Sequence, residues 1–369
     1  MSQKSTEKNY YKYFILLFAL LSYSSVWAQH AEDTTNTHKR KRKVTIIPLP
    51  IIYYTPETRL AGGFLGVCLF KTSPKTRTSN IDLATVLTSR NQRLFDIEVN
   101  MFTPQEKYFI KSSIFLAKFP ESFFGIGNDR PNIPEKIDYN VARGNLRVLR
   151  KIKEKTFVGM QYQYFNTFKV KQDNNSPNPN FIGNRGSKMS GFGFAFVYDS
   201  RDNIVNARKG MYFEVSNYAY LKALGSQFES FQLYIDARKY IKINKKGVLA
   251  VQCIGNFNAG DVPFKMLGSL GGVYQMRGFY NGRFRDKIAI IFQAEYRHIL
   301  TERWGFTVFG SVGDVGKNVT DYGSKGMKFA GGVGLRIKLS KKENVNLRFD
   351  FAAGTKSGLK PYFNVAEAF

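Results

Sequence analysis

Histidine and cysteine are scarce in this chain of 369 residues, which holds three histidines and two cysteines. With so few side chains of these kinds, a histidine metal site or a Ser-His-Asp triad is not expected. Cys68 and Cys253 lie far apart and form no CxxC pair, so a zinc cluster or a disulfide framework is not expected either. The sequence also lacks GxSxG, HExxH and GxxxxGKS/T motifs. We therefore predict neither a familiar enzyme class nor a bound metal or cofactor.

Acidic residues are few as well: 28 Asp and Glu stand against 55 Lys and Arg, which gives a net charge of +27. This excess of positive charge predicts contacts with anionic lipid head groups or anionic solutes. Long apolar runs are missing after residue 43, which excludes membrane-spanning helices there. Membrane-spanning strands are not excluded, because each needs only about ten residues.

The first 28 residues have the pattern of a secretory signal peptide. Lys4, Lys8 and Lys12 precede an apolar run over 14–21, and small residues follow up to Ala28. The apolar run is shorter than the ~20 residues that a membrane-spanning helix needs. We therefore assign residues 1–28 to a signal peptide and predict an exported protein.

Residues 29–44 are polar and include the basic run Lys39, Arg40, Lys41, Arg42 and Lys43. Such a run can bind nucleic acid, but an exported chain rarely meets any. We predict a short periplasmic leader that is either solvated or in contact with lipid phosphates or an acidic partner. No nucleic-acid partner is expected.

Segments of alternating apolar and polar residues recur from residue 45 to residue 369. In 94–101, for example, Phe95 and Ile97 alternate with Asp96 and Glu98. Alternation of this kind places one set of side chains on each face of a strand. A soluble sandwich would alternate too, but the polar faces carry both charge signs and the other faces are bulky and aromatic. This combination favours a wet lumen and a lipid-facing band.

The predicted fold is therefore all-β: a transmembrane antiparallel barrel over 45–369, closed so that every backbone polar group is paired. Fifteen strands can be counted from the alternation, the first near 59–72 and the last near 361–369. Bacterial barrels usually have an even number of strands. We therefore predict sixteen, with 45–54 as the missing strand.

Several motifs resemble one family when they are taken in their order along the chain. Tyr198 to Asn203 with Lys209 and Gly210 is similar to a DxRDN…PxxG stretch. Met276-Arg277-Gly278-Phe279 fits a V/I-R-G-F/Y loop motif, and Asp314 with Gly316 fits a following DxG strand motif. The final Phe369, preceded at alternate positions by Val365 and Phe363, is similar to a terminal barrel signal. The chain resembles the BamA/TamA superfamily of outer-membrane assembly and translocation barrels, the bacterial surface antigen family.

This resemblance implies a long loop, residues 261–286, folded into the lumen. It also implies that Arg277 contacts inward acidic residues, for which we name Glu295 and Asp314. A buried arginine needs such partners, ideally through bidentate hydrogen bonds. The alternatives are that Arg277 is a solvated loop residue and that Glu295 merely lines a wet lumen.

The resemblance further implies a weakly paired lateral seam between the first and last strands. We place it between 59–70, loosened by Gly62, Gly63 and Gly66, and 361–369 with Phe363, Val365 and Phe369. Strand packing or bulges could equally account for these glycines. Family members carry periplasmic POTRA domains before the barrel, whereas only a short leader precedes the first strand here, which indicates a barrel-only member.

Two functions of different classes remain open at this point. The first is assembly or translocation of outer-membrane proteins, with outer-membrane lipids, nascent outer-membrane proteins and separate periplasmic or membrane accessory subunits as partners. The second is a pore or scaffold barrel without insertase activity. An outer-membrane lipid hydrolase built on His298 is the least favoured, because no motif supplies its nucleophile. Under each of these, the expected location is the outer membrane of a Gram-negative-type bacterium.

Overall fold

The computed structural model describes residues 44–74, 76–130, 133–172, 180–323, 326–340 and 345–369. The predicted signal peptide and the predicted leader up to residue 43 lie outside the described residues. Within them, the chain is built almost wholly of strands. No helix in this part of the chain is long and apolar enough to cross a membrane.

Nineteen strands follow one another in the described residues. In chain order they are β1 (Thr45–Thr55), β2 (Arg59–Phe70), β3 (Ser79–Thr88), β4 (Arg93–Phe102), β5 (Tyr108–Lys118), β6 (Glu121–Phe123), β7 (Glu135–Lys153), β8 (Thr156–Gln172), β9 (Ser187–Asp199), β10 (Gly210–Tyr220), β11 (Ser230–Lys242), β12 (Gly247–Gly260), β13 (Gly268–Leu270), β14 (Phe284–Asp286), β15 (Ile288–Ile299), β16 (Trp304–Gly316), β17 (Lys328–Ser340), β18 (Val345–Gly354) and β19 (Lys360–Val365).

Sixteen of these strands form a closed antiparallel barrel, which confirms the predicted fold class and strand number. Each barrel strand pairs with the next along the chain, and the short strands β6, β13 and β14 lie in the connections. The sixteenth strand, predicted at 45–54, is β1. Within the described residues, no POTRA-type domain precedes it.

The barrel closes between β1 and β19, and this corrects the predicted seam. Along its whole length β1 pairs with β2, from Thr45↔Leu69 to Thr55↔Arg59. Gly62, Gly63 and Gly66 therefore lie on β2, which pairs with β1 on one side and β3 on the other, and not at the seam. At Gly63 a Cβ would lie 1.9 Å from the Thr85 carbonyl oxygen, so this glycine permits close strand packing.

The two faces of the wall differ in chemistry. On β9, Phe192, Phe194 and Phe196 are 38%, 54% and 37% exposed, while Ala195 and Val197, which alternate with them, are buried. On β15, Phe292 is 54% exposed, whereas its polar neighbours Gln293 and Glu295 are buried. The apolar aromatic face therefore points outward, as a lipid-facing band requires, and the polar face points into the barrel.

The two ends of the barrel also differ. In an antiparallel barrel, alternate connections lie at the same end. We call the end with the connections β1–β2, β5–β7, β12–β15, β16–β17 and β18–β19 the loop end, and the opposite end the turn end. The connection between β12 and β15 is the long loop 261–287, and the hairpin of β13 and β14 gives it structure of its own.

Candidate functional site

Arg277 of the long loop contacts two buried carboxylates on the inward faces of barrel strands. Its guanidinium forms ion pairs with Glu295 on β15 and Asp350 on β18. It also lies over the Phe309 ring, 3.5 Å from the ring centroid. Arg277 is 3% exposed, and both carboxylates are 0% exposed. The arrangement gives one buried cation two anions and an aromatic face, which compensates its desolvation.

The same carboxylates hold further arginines, so the contacts form a network. Arg297 donates to Glu295 at 2.7 Å, and Arg336 donates to Asp350 at 2.7 Å. Arg336 also donates to Glu367 at 2.8 Å, just beyond the end of β19. Charge-assisted hydrogen bonds of this kind are roughly twice as strong as neutral ones. The network therefore joins the long loop to the segment after the last strand.

Backbone conformation turns Arg277 toward its partners. Met276 has φ 51° and Gly278 has φ 114°, so the residues on both sides of Arg277 are left-handed. A Cβ at Gly278 would lie 2.6 Å from the Ala353 carbonyl carbon on β18, so only glycine fits there. Met276 and Phe279 are 0% and 1% exposed and pack in one apolar cluster. All four motif residues thus contact the inward side of the wall.

Tyr362 on β19 anchors the motif through its hydroxyl. The Gly278 N–H donates to the Tyr362 oxygen at 2.9 Å, and that hydroxyl donates to the Phe279 carbonyl at 3.3 Å. Tyr362 is 2% exposed, so water does not replace these bonds. The last barrel strand therefore contacts the loop motif directly.

We expect Tyr362→Phe to lower the free energy of unfolding by about 1–3 kcal/mol, because it leaves the buried Gly278 N–H without a partner. The measurement is the urea midpoint of the protein refolded into lipid vesicles. Tyr322→Phe is the matched control, because the buried Tyr322 hydroxyl has no hydrogen-bond partner among the described residues. Equal midpoints for the two variants would contradict this anchoring.

Asp314 does not join Arg277, and this corrects the predicted pairing. Asn128 of the β5–β7 connection donates to the Asp314 carboxylate at the loop end, and Lys328 adds a nearby positive charge. Gly316 ends β16, where a Cβ would lie 3.0 Å from the Asp321 Cβ. These strand-motif residues therefore tie two loops together, whereas Asp350 takes the place predicted for Asp314.

The predicted seam residues of the last strand lie in different environments. Phe363 pairs with Tyr54 of β1 and is the residue at the closure. Val365 is 42% exposed and pairs with Leu347 of β18. Phe369 is buried against Tyr240 and Ala250, and its carbonyl accepts a hydrogen bond from Arg297 at 2.7 Å. The chain turns inward after Val365, at Ala366 with φ 68°, so Phe369 is not part of the seam.

The turn between β1 and β2 fixes the tip of the long loop. The Asn281 N–H donates to the Glu57 carboxylate at 2.6 Å, and Gln92 donates to the Glu57 carbonyl at 3.4 Å. Burial raises the pKa of the Glu57 carboxyl. The loop is thus held at its tip as well as at its motif.

His298 lacks the surroundings of a hydrolase centre. Its Nδ1 hydrogen-bonds the Tyr296 hydroxyl at 3.0 Å, and its ring lies tilted against the Phe306 ring, with 5.2 Å between the centroids. No serine hydroxyl bonds this ring among the described residues. The contacts are those of a polar residue at a strand end.

Comparison with known proteins agrees with the fold. The similar solved structures include BamA from Haemophilus ducreyi lacking POTRA domains 1–3 (TM-score 0.59, 13% identity, 94% of this chain and 78% of that chain), CdiB from Acinetobacter baumannii (0.58, 12%, 88% and 60%) and CdiB from Escherichia coli (0.57, 11%, 89% and 63%). No curated protein matches the sequence. The Omp85 superfamily domain matches residues 82–363. That range is most of the chain, and the chain therefore belongs to the Omp85 superfamily.

Proposed function

We propose that this barrel assembles or translocates proteins at the outer membrane by receiving a polypeptide at the closure between β1 and β19. Residues 45–369 form the working barrel, and residues 1–28 act as the signal peptide that directs export. Separate accessory subunits deliver the polypeptide to the barrel.

The observation that carries this proposal is the short pairing at the closure. The register between β1 and β19 contains one residue pair, Tyr54↔Phe363. By contrast, β18 and β19 pair from Leu347↔Val365 to Ala352↔Lys360. Since β19 ends at Val365, the first part of β1 has no described partner on that side. An unpaired strand edge in a membrane is unstable unless another strand covers it.

An incoming strand would satisfy this edge by β-augmentation, in which main-chain hydrogen bonds supply affinity without fixing the sequence. Pro48 and Pro50 have no N–H, so residues 45–50 of β1 are poor templates. The templating edge is therefore β19 together with the second half of β1. Suitable substrates are nascent barrel strands, and outer-membrane lipids are the surrounding partner.

A reversible cross-link at the closure tests the proposal. Tyr54→Cys and Phe363→Cys, placed in a Cys68→Ser, Cys253→Ser background, put two thiols on directly paired residues within disulfide reach. We expect proteoliposomes with the reduced protein to speed the folding of a small outer-membrane barrel. Oxidation should abolish that acceleration, and reductant should restore it.

Leu83→Cys with Ile97→Cys is the matched control, because these residues pair on β3 and β4 away from the closure. Its oxidation should leave assembly unchanged. Equal activity of the oxidised closure variant would overturn the proposed route. Acceleration lost equally in both oxidised proteins would show general stiffening rather than a gate.

A pore is the second candidate, because part of the interior holds a cavity of about 480 Å³. Among its charged lining residues four are basic, Lys111, Arg143, Arg147 and Lys265, and one is acidic, Glu214. Such a lining would favour anions. Steady anion leakage from the same vesicles, without any acceleration of folding, would support this function instead.

A further inference from the structure

A second cavity, of about 780 Å³, lies at the loop end and reaches the closure. Tyr54 of β1 and Pro361 of β19 are among its lining residues, so it borders both closing strands. The β5–β7 connection and the long loop complete its wall. Arg283 of the long loop donates to the Arg130 carbonyl at 2.7 Å and lies 4.9 Å from the Phe124 ring centroid. These contacts join the two loops into one surface.

Cations dominate the described lining of this cavity. Besides Arg283, they are Arg59, Arg90, Arg130, Lys328, Lys356 and Lys360, and the acidic residue beside them is Asp129. None of the six forms an ion pair with a described carboxylate, in contrast to Arg277, Arg297 and Arg336 in the barrel interior. The Arg90 Nε atom is buried and has no hydrogen-bond partner among the described residues.

Like charges held together in a cavity repel one another, and an unpartnered buried donor is unfavourable. An anion bound among the six cations would offset their repulsion and accept a hydrogen bond from the buried donor. Phosphate fits best, because its oxygens accept several hydrogen bonds and arginine binds it bidentately. The cavity thus has the chemistry of a phosphate site.

Apolar side chains beside the cavity point to the source of that phosphate. Leu359, which lines the cavity, is 69% exposed, and Leu60, which pairs with Tyr54, is 59% exposed. Leu87 on the neighbouring strand β3 is 65% exposed. Acyl chains could lie on these side chains while a head group enters beside the closure. We propose that this cavity binds the phosphate group of an anionic lipid at the seam.

Binding to the full chain in a neutral detergent tests the proposal. The probes are short-chain phosphatidic acid, phosphatidylcholine with the same chains, and inorganic phosphate, each titrated calorimetrically. We expect saturable binding of phosphatidic acid that weakens with salt, and weaker binding of the other two. Arg90→Gln, Arg130→Gln and Lys356→Gln together should weaken the binding of phosphatidic acid about tenfold or more.

The control removes the same charge at the turn end, through Lys245→Gln, Lys246→Gln and Arg303→Gln, and should bind as the unmodified protein does. Equal losses in both variants, equal binding of phosphatidylcholine, or no salt dependence in the unmodified protein would overturn the site. Equal affinity for inorganic phosphate would overturn its assignment to a lipid. No assembly substrate is present, so the result is independent of the proposed function.

Discussion

Arg277→Met is expected to lower the free energy of unfolding by about 3–5 kcal/mol, because it leaves Glu295 and Asp350 buried with part of their counter-charge missing. The cation–π contact with Phe309 is lost as well. The measurement is a urea titration of the protein in vesicles, followed by the mobility of the folded barrel in a semi-native gel. The stability of Arg277→Lys should lie between that of the unmodified protein and that of Arg277→Met, since lysine keeps the charge but cannot reach both carboxylates through one planar group.

Arg77→Met provides the matched control. Arg77 has the same two kinds of contact, an ion pair with Glu106 at 3.2 Å and a ring contact with Phe102 at 4.2 Å. Its side chain is 35% exposed, so solvent compensates much of the loss. We expect at most about 1 kcal/mol for this variant. An Arg277→Met protein as stable as the control would show that the buried network contributes little to the fold.

Gly278→Ala is expected to detach the motif from the wall. The left-handed backbone at φ 114° disfavours a side chain by about 1–3 kcal/mol. The collision of the new Cβ with the Ala353 carbonyl carbon, at 2.6 Å, adds a similar amount. The long loop should then become accessible to trypsin at Lys265, Arg277 and Arg283. Limited proteolysis of the protein in vesicles measures this directly.

Gly225→Ala separates the two contributions. Gly225 has φ 90°, but a Cβ there would meet nothing within 4 Å. This control therefore carries the conformational penalty without the collision. If both variants show the same trypsin pattern and the same urea midpoint, the close approach of Gly278 to β18 is not what holds the loop.

Alternation along the chain was enough to predict the barrel, fifteen of its sixteen strands and the face on which the alternating side chains lie. It fixes the face because the side-chain period of a strand is two. The closure was predicted between β2 and β19 instead of between β1 and β19, because β1 was assigned only from the even strand number of bacterial barrels. Pro48 and Pro50 were the available signal, since prolines within a strand indicate an edge.

The height of a side chain along the barrel could not be predicted, because it depends on the register between strands. Glu295 pairs with Phe309, whereas Asp314 pairs with Ile290, five residues (295 − 290) from Glu295. That separation corresponds to roughly 17 Å along the strand. Asp350 instead lies level with Arg297, through the pairs Arg297↔Thr307, Thr307↔Gly334 and Gly334↔Asp350. Asp350 alternates with Phe349 and Phe351 in the sequence, which indicates its face, but only the register brings it level with Arg297.

The link between the interior arginines and Glu367 couples closure of the barrel to the segment after its last strand. Glu367 follows β19 in the chain, so Arg336 gains this counter-charge only once that segment has reached the barrel interior. Until then, a barrel that closed early would hold an arginine without its full complement of anions, which disfavours that intermediate. Completion of the wall and neutralisation of the interior thus become one late event, and premature closure is discouraged by charge rather than by shape.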